Sequence, residues 1–262
     1  MISVCIATYN GEKFINEQLV SILHQLSEND EIIISDDNSS DLTIKSIETL
    51  NDPRIHILHH NPKPAKFTID YCTHNFENAL LHSKGDIIFL ADQDDFWLPD
   101  KLPVMTEQLK HCDLVMSDCY IGDENLNISN ILYSQNRPFS PSIIYNFIKP
   151  SFLGCCMAFR RVVLEKALPF PKYGVAHDLW LGCIAYRFFK LEYIRKPLVI
   201  YRRHSLAVTT SGTKKRTSLV FKIRNRFYVA RALLRLLFYT QALLFISNTL
   251  LSFITYDHLT LV

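Results

Sequence analysis

Three short apolar runs in the first part of the chain each stop abruptly at a cluster of polar groups. Ile2-Ser3-Val4-Cys5-Ile6-Ala7 ends in Thr8-Tyr9-Asn10-Gly11, Glu31-Ile32-Ile33-Ile34-Ser35 ends in Asp36-Asp37-Asn38, and Ile87 to Ala91 ends in Asp92-Gln93-Asp94-Asp95. Runs this short and this apolar are the mark of strands buried on both faces. Apolar residues recur at helical spacing between them: Phe14, Leu19, Ile22, Leu23 and Leu26 in one stretch, then Asp41 to Leu50 with Ser40 or Asp41 near its N-cap, then Ile69 to Leu81. Arg54 to Leu58 predicts a further strand, Pro99 to His111 a helix and Leu114 to Ser117 a strand. Strands alternating with helices give an α/β, Rossmann-like fold: a mostly parallel sheet flanked by helices with right-handed crossovers. In such sheets ligands bind outside the carboxyl ends of the strands, where these polar clusters fall.

The cluster after Ala91 is the most demanding of the three. It places three carboxylates within four residues at the end of a core strand, with no basic residue before Lys101. Unpaired carboxylates repel one another and are costly to desolvate. A divalent cation resolves the conflict, and hard oxygen ligands suit Mg²⁺ or Mn²⁺ shared with substrate phosphates. The alternative is a solvated acidic turn that caps the helix beginning near Pro99.

Several classes are disfavoured. No Gly-x-Gly-x-x-Gly and no Gly-x-x-x-x-Gly-Lys occurs, which argues against a dinucleotide enzyme or a P-loop NTPase. Seven cysteines make no Cys-x-x-Cys pair, so reduced thiols in a cytoplasmic protein are expected, with no targeting segment ahead of the first strand. His24, His59, His60 and His111 show no ligand spacing and read as ordinary surface or half-buried histidines. Beyond residue 120 the alternation lapses. Gly122 to Pro141 reads as a polar loop over the site, Phe152 to Phe159 as a strand, His177 to Phe189 as a helix and Leu198 to Tyr201 as a last strand.

These motifs resemble those of the family 2 glycosyltransferases of the GT-A fold. Ser3-Val4-Cys5-Ile6-Ala7-Thr8-Tyr9-Asn10-Gly11, Ser35-Asp36-Asp37-Asn38-Ser39 and Leu90-Ala91-Asp92-Gln93-Asp94-Asp95 match three signatures in order and spacing, over a fit that spans residues 1–205. The Asp-Gln-Asp-Asp-Phe-Trp version is similar to a subgroup described as rhamnosyltransferases of bacterial surface polysaccharides. The resemblance implies that Asp37, with Asp36, accepts the N3–H of uracil or thymine, with nucleoside contacts from Thr8, Tyr9 and Asn75. The alternative for the aspartate pair is an N-cap cluster. It further implies that Asp92 and Asp94 bind ribose and metal diphosphate, and that Asp178 is the general base toward the acceptor. A first-turn carboxylate favoured by the helix dipole is the alternative for Asp178. His177 stands where the family commonly has glutamate. Arg202, Arg203 and His204 match a basic loop that closes over the diphosphate, with His204 a further metal ligand, or else an exposed loop without function.

Lys214, Lys215, Arg216, Lys222, Arg224, Arg226, Arg231 and Arg235 lie in one acid-free block interleaved with apolar residues. This pattern predicts a basic amphipathic helix suited to an anionic membrane surface, and not to nucleic acid. The uncharged run 236–254 is diluted by polar residues and predicts interfacial or reentrant docking. Packing on the catalytic domain is the alternative. The expected organisation is therefore a GT-A domain over 1–205 and a basic, apolar helical appendage over 206–262. The expected activity is inverting, metal-dependent transfer of a sugar from a UDP- or dTDP-type donor to a saccharide or lipid-linked saccharide, at the cytoplasmic face of the membrane. A sugar nucleotidyltransferase and an inactive membrane scaffold are the rival readings. The former usually carries a Gly-rich, Arg/Lys-containing loop after its first strand, and Thr8-Tyr9-Asn10-Gly11-Glu12 lacks it.

Overall fold

The computed structural model describes residues 1–62, 64–205, 223 and 226–234. Its first half is a parallel sheet of β1 (Ile2–Thr8), β2 (Glu31–Asp36), β3 (Ile55–His59) and β4 (Ile87–Asp92), in the spatial order β3-β2-β1-β4. Crossovers run through α1 (Ile15–Leu23), α2 (Thr43–Glu48) and α3 (Thr68–His82). The strand residues Val4, Ile6, Ile32, Ile34, Phe89 and Leu90 are fully buried. Each such side chain contributes roughly 1.5–3 kcal/mol by leaving water. The register is what matters for function: Thr8 lies opposite Asp36, Ala7 opposite Asp92, and Asp36 opposite His59. All the polar strand ends therefore finish level at one edge.

The second half adds β5 (Phe96–Trp97), α4 (Lys101–Gln108), β6 (Leu114–Gly122), β7 (Ile128–Leu132), α5 (Tyr133–Asn136) and α6 (Ile143–Ile148). A 3₁₀ turn at Gly154–Cys156, β8 (Met157–Arg160), α7 (Arg161–Ala167), α8 (His177–Phe188) and β9 (Leu191–Arg202) follow. The sheet continues from β4 in the order β8-β6-β9-β5, with β7 paired to β6. Strand β8 runs antiparallel to both neighbours, while β6 and β9 are parallel.

Four expectations need correction. Residues 122–141 are not one loop, because β6 runs on to Gly122 and returns as β7. The Asp123 carboxylate accepts from the backbone N–H of Asn125 and Asn127, both at 2.9 Å, and so closes the hairpin. The stretch 152–159 is strand only from Met157, since the chain first winds through its 3₁₀ turn. The last strand begins at Leu191, not Leu198. Pro197 hides this continuity: the register against β6 shifts between Ser117 and Asp118, where Pro197 sits. Finally, neither Ser40 nor Asp41 is the N-cap residue of α2, which starts at Thr43, although the Asp41 carboxylate accepts from Thr43 N–H at 3.0 Å.

Contacts divide the chain into Met1–Arg216 and Thr217–Val262. In the second unit Ile223 and residues 226–234 are helical, with Val229 and Ala232 buried and Ile223 and Phe227 exposed. No helix among the described residues is long and apolar enough to cross a membrane. The run 236–254 and most of the basic block lie outside the described residues.

Candidate active site

At the ends of β1 and β2 two adjacent aspartates have different environments. Both oxygens of Asp36 are engaged: its carboxylate accepts from Thr8 Oγ1 at 2.8 Å, Ser39 Oγ at 2.6 Å and Ser39 N–H at 2.8 Å. It therefore holds the loop together. Asp37 is 8% exposed, and one of its oxygens, Oδ1, lies 2.6 Å from Nδ1 of His60. Burial raises the Asp37 pKa, and the hydrogen bond and charge of His60 oppose the rise. Thr8 is buried and its hydroxyl faces inward. The Thr8 carbonyl accepts from Asp37 N–H at 3.0 Å and from Asn75 Nδ2 at 3.1 Å. Asn75 is itself buried on α3, so it ties that helix to the end of β1. Tyr9, by contrast, is 57% exposed.

The loop after β4 is joined to this edge by Gln93, a contact the sequence does not advertise. Its side-chain amide accepts from Tyr9 N–H at 2.9 Å and donates to the Tyr9 carbonyl at 3.1 Å. A Cβ at position 11 would stand too close to Gln93 Oε1 and push that amide aside. Asp92 is half-buried, and burial, then the carboxylates of Asp94 and Asp178, push its pKa up to about 8. Asp94 Oδ2 lies 2.7 Å from Nε2 of His204. Nδ1 of His204 is buried and finds no hydrogen-bond partner among the described residues. Asp95 is fully buried: one carboxylate oxygen accepts from Arg202 N–H at 2.9 Å, and Oδ2 has no partner among the described residues.

Asp94 and His204 pair directly, and a carboxylate with an imidazole is a donor pair that suits a hard or borderline divalent cation such as Mg²⁺ or Mn²⁺. Crowded negative charge that raises Asp92 is the situation a cation relieves. Among the described residues, the grouping whose donor atoms lie within 4.8 Å of one another is Asp92, Asp95 and Cys155, which includes neither Asp94 nor His204. Behind it the fully buried Lys101 donates to the Cys155 carbonyl and sits 4.3 Å above the Trp97 ring. All seven cysteines are unpaired, and Cys155 and Cys156 are buried in this floor.

Arg202 does not follow the last strand, as expected, but ends it, and it is 3% exposed. Its Nε donates to the Asp94 carbonyl at 2.6 Å and one terminal nitrogen to the Glu124 carbonyl at 2.6 Å. The other pairs with Glu17, and the guanidinium lies 4.6 Å over the Phe14 ring. Arg203 donates to the Tyr201 hydroxyl at 3.0 Å. On the other side of the site, Asp178 occupies the first turn of α8, half-buried, with Oδ1 accepting from Leu179 N–H at 2.6 Å. His177 beside it is 6% exposed and stacks on Phe76 at 4.0 Å. Burial lowers the His177 pKa, which makes it a neutral ring. Gly154 lets this ring pack closely, because a Cβ there would stand 2.7 Å from its Nε2.

Residues 3–168 match the model of glycosyl transferase family 2. The chain belongs to that family. It is 28% identical over 245 residues to the dTDP-rhamnosyl transferase RfbG of Shigella flexneri, covering 85% of this chain and 80% of that one. Similarity also extends to the UDP-Glc:alpha-D-GlcNAc-diphosphoundecaprenol beta-1,3-glucosyltransferase WfgD of Escherichia coli, 28% identical over 193 residues and covering 70% of each chain. Among solved structures, S. aureus TarS 1-349 in complex with UDP-GlcNAc superposes with a TM-score of 0.61 at 19% identity. That match covers 83% of this chain and 62% of the crystallised one, and it bears on the fold alone.

The glycosyltransferase is thus an α/β protein of the GT-A type. The expected residues Thr8, Asp36, Asp37, Asn75 and Asp92 all gather at the level strand ends, and Asp94 meets His204. Asp178 approaches from α8 closely enough for its charge to act on Asp92. In the sequence alone Gln93 has no assigned role and His60 reads as an ordinary surface or half-buried histidine. The first is visible only as the middle residue of Asp-Gln-Asp. The second lies one residue beyond β3, and its nearness to Asp37 depends on the β2–β3 register.

Proposed function

We propose that this glycosyltransferase moves a hexose, with rhamnose one candidate, from a UDP- or dTDP-linked donor to a saccharide acceptor during assembly of a bacterial surface polysaccharide. The observation that carries this reading is the register that brings Thr8, Asp36 and Asp92 level, with Asp178 on α8 near enough for its charge to act on Asp92. Asp37 accepts the N3–H of the base while Asp36, engaged by Thr8 and Ser39, holds its loop. Tyr9 offers an exposed ring to the nucleoside. Asp92 takes the ribose and, with Asp94 and His204, would hold Mg²⁺ or Mn²⁺. A bound cation there supplies positive charge against the departing diphosphate. Asp178 removes the proton of the acceptor hydroxyl as that oxygen bonds to the anomeric carbon, while the bond from that carbon to the diphosphate oxygen breaks. A single displacement of this kind inverts the anomeric centre. Arg203 faces the diphosphate, whereas Arg202 acts by holding the Asp94 backbone.

Two relatives support the finer choices. RfbG is named for dTDP-rhamnose chemistry and WfgD for a diphosphoundecaprenol acceptor. A lipid-linked acceptor agrees with the basic block after residue 213, which suits peripheral attachment at the inner membrane face. The test is a panel of UDP-, dTDP- and GDP-sugars with nucleoside diphosphate release measured in Mn²⁺, in Mg²⁺ and in excess chelator. Turnover confined to pyrimidine donors and abolished by chelator is expected. Full activity in chelator would remove the metal, and a preference for GDP-sugars would remove the base assignment.

A further inference from the structure

We propose that His60 fixes the Asp37 carboxylate as a hydrogen-bond acceptor toward the base, so that the pair selects uracil or thymine over cytosine. The proposal rests on the donor reading above and adds to it the residue that sets base selection. The geometry begins with the backbone. His60 N–H donates to the Asp36 carbonyl at 2.8 Å, which anchors His60 at the level of the aspartate pair. Asn38 Nδ2 donates to Asn61 Oδ1 at 3.0 Å, tying the loop after β2 to the loop after β3. The imidazole is thereby held with Nδ1 2.6 Å from Asp37 Oδ1. A carboxylate can only accept there, so Nδ1 carries the hydrogen and Oδ2 is left for a ligand.

Chemistry then separates the bases. Uracil and thymine carry a hydrogen on N3, and an ionised carboxylate accepts it. Cytosine carries a lone pair on N3, which an ionised carboxylate repels and a protonated one would satisfy. Selection therefore depends on keeping Asp37 ionised. The ionisable groups that act on it are Asp36 on β2, His60 after β3 and His74 on α3, with Cys72 of α3 also close. Burial and Asp36 favour the proton, and His60 is the largest influence against it. The sign follows: UDP affinity falls as pH drops through the Asp37 titration, and loss of His60 moves that fall to higher pH.

Binding of UDP and of CDP, each measured by calorimetry across a pH series, decides the matter for the wild type, His60→Leu and His60→Asn. The wild type should prefer UDP, with the preference shrinking toward acid pH. His60→Leu should weaken UDP binding by roughly 10–100-fold near neutrality, the range for losing a hydrogen bond to a charged group. It should also narrow the UDP-to-CDP ratio, with the acid limb displaced upward. His60→Asn retains a donor near the position of Nδ1 and should restore much of the preference. An unchanged ratio and unchanged limb in a folded His60→Leu protein would overturn the proposal while leaving the donor reading intact. Wild-type protein that binds neither nucleotide would remove both. If His60→Leu does not fold, a pH-independent UDP-to-CDP ratio in the wild type overturns the proposal equally well.

Discussion

Asp178 and Asp37 are two carboxylates in different surroundings, one in the first turn of α8 and one just beyond β2. Asp178 lies in the first turn of α8, and its neighbour His177 is a buried neutral ring that adds no compensating charge. A base facing the acceptor should therefore affect the chemical step more than donor binding. Asp178→Asn keeps the shape and one acceptor oxygen but cannot take a proton. Transfer by this variant is expected to slow by roughly 10²–10⁴-fold in single-turnover assays. Calorimetric affinity for UDP should stay near that of the wild type. Lost UDP binding with a normal residual rate would reassign Asp178 to the donor side. Sequence alone named Asp36 and Asp37 together because their types and positions are equivalent as text. What separates them is hydrogen bonding: Thr8 and Ser39 engage both oxygens of one carboxylate, and His60 engages one oxygen of the other.

Among the elements, β9 carries the largest difference between expectation and structure. A proline that follows Arg195 and Lys196 reads as a strand boundary, and only pairing with β6 shows that the chain passes through it. The other end of β9 matters for the site: the strand runs one residue past Tyr201, and Arg202 is a buried clamp there. It joins the loop after β4 through Asp94, α1 through Glu17 and the β6–β7 turn through Glu124. Parallel strands β1, β2 and β4 were legible because each is an uninterrupted apolar run closed by a polar cluster. Strand β8 was less so: its few residues give no directional signal, and its antiparallel course follows from its neighbours. Arg202→Lys tests the clamp, since an ammonium cannot reach three partners in the plane of a guanidinium. Urea denaturation should show a loss of about 2–3 kcal/mol, as expected for buried, charge-assisted hydrogen bonds broken together. Apparent Mn²⁺ affinity in the presence of UDP should weaken as well, because the Asp94 backbone loses its anchor. Unchanged stability and unchanged metal affinity would show that the clamp holds nothing.

For the molecule as a whole, contacts divide the chain into a unit ending at Arg216 and a unit beginning at Thr217. Charge is distributed unevenly along the chain, with eight basic residues and no acid between 214 and 235. Basic residues at an anionic membrane each contribute on the order of 1 kcal/mol, and salt weakens that attraction within a Debye length. Apolar residues interleaved with them, such as the exposed Ile223 and Phe227, would add a salt-resistant share by burying area in the interface. A chain ending at Arg216 is expected to retain sugar-nucleotide turnover and transfer to a short soluble acceptor. It should lose most flotation on liposomes containing anionic lipid and act poorly on a lipid-linked acceptor. Salt should release part of the full-length protein from those liposomes and leave a residual bound fraction, while neutral liposomes should hold only that residual fraction. Equal flotation of both forms would move the membrane contact into residues 1–216. Aggregation or unfolding of the shortened chain would instead show that the appendage completes the core of the catalytic unit, in which case its apolar residues face protein and its basic residues are a solvated rim.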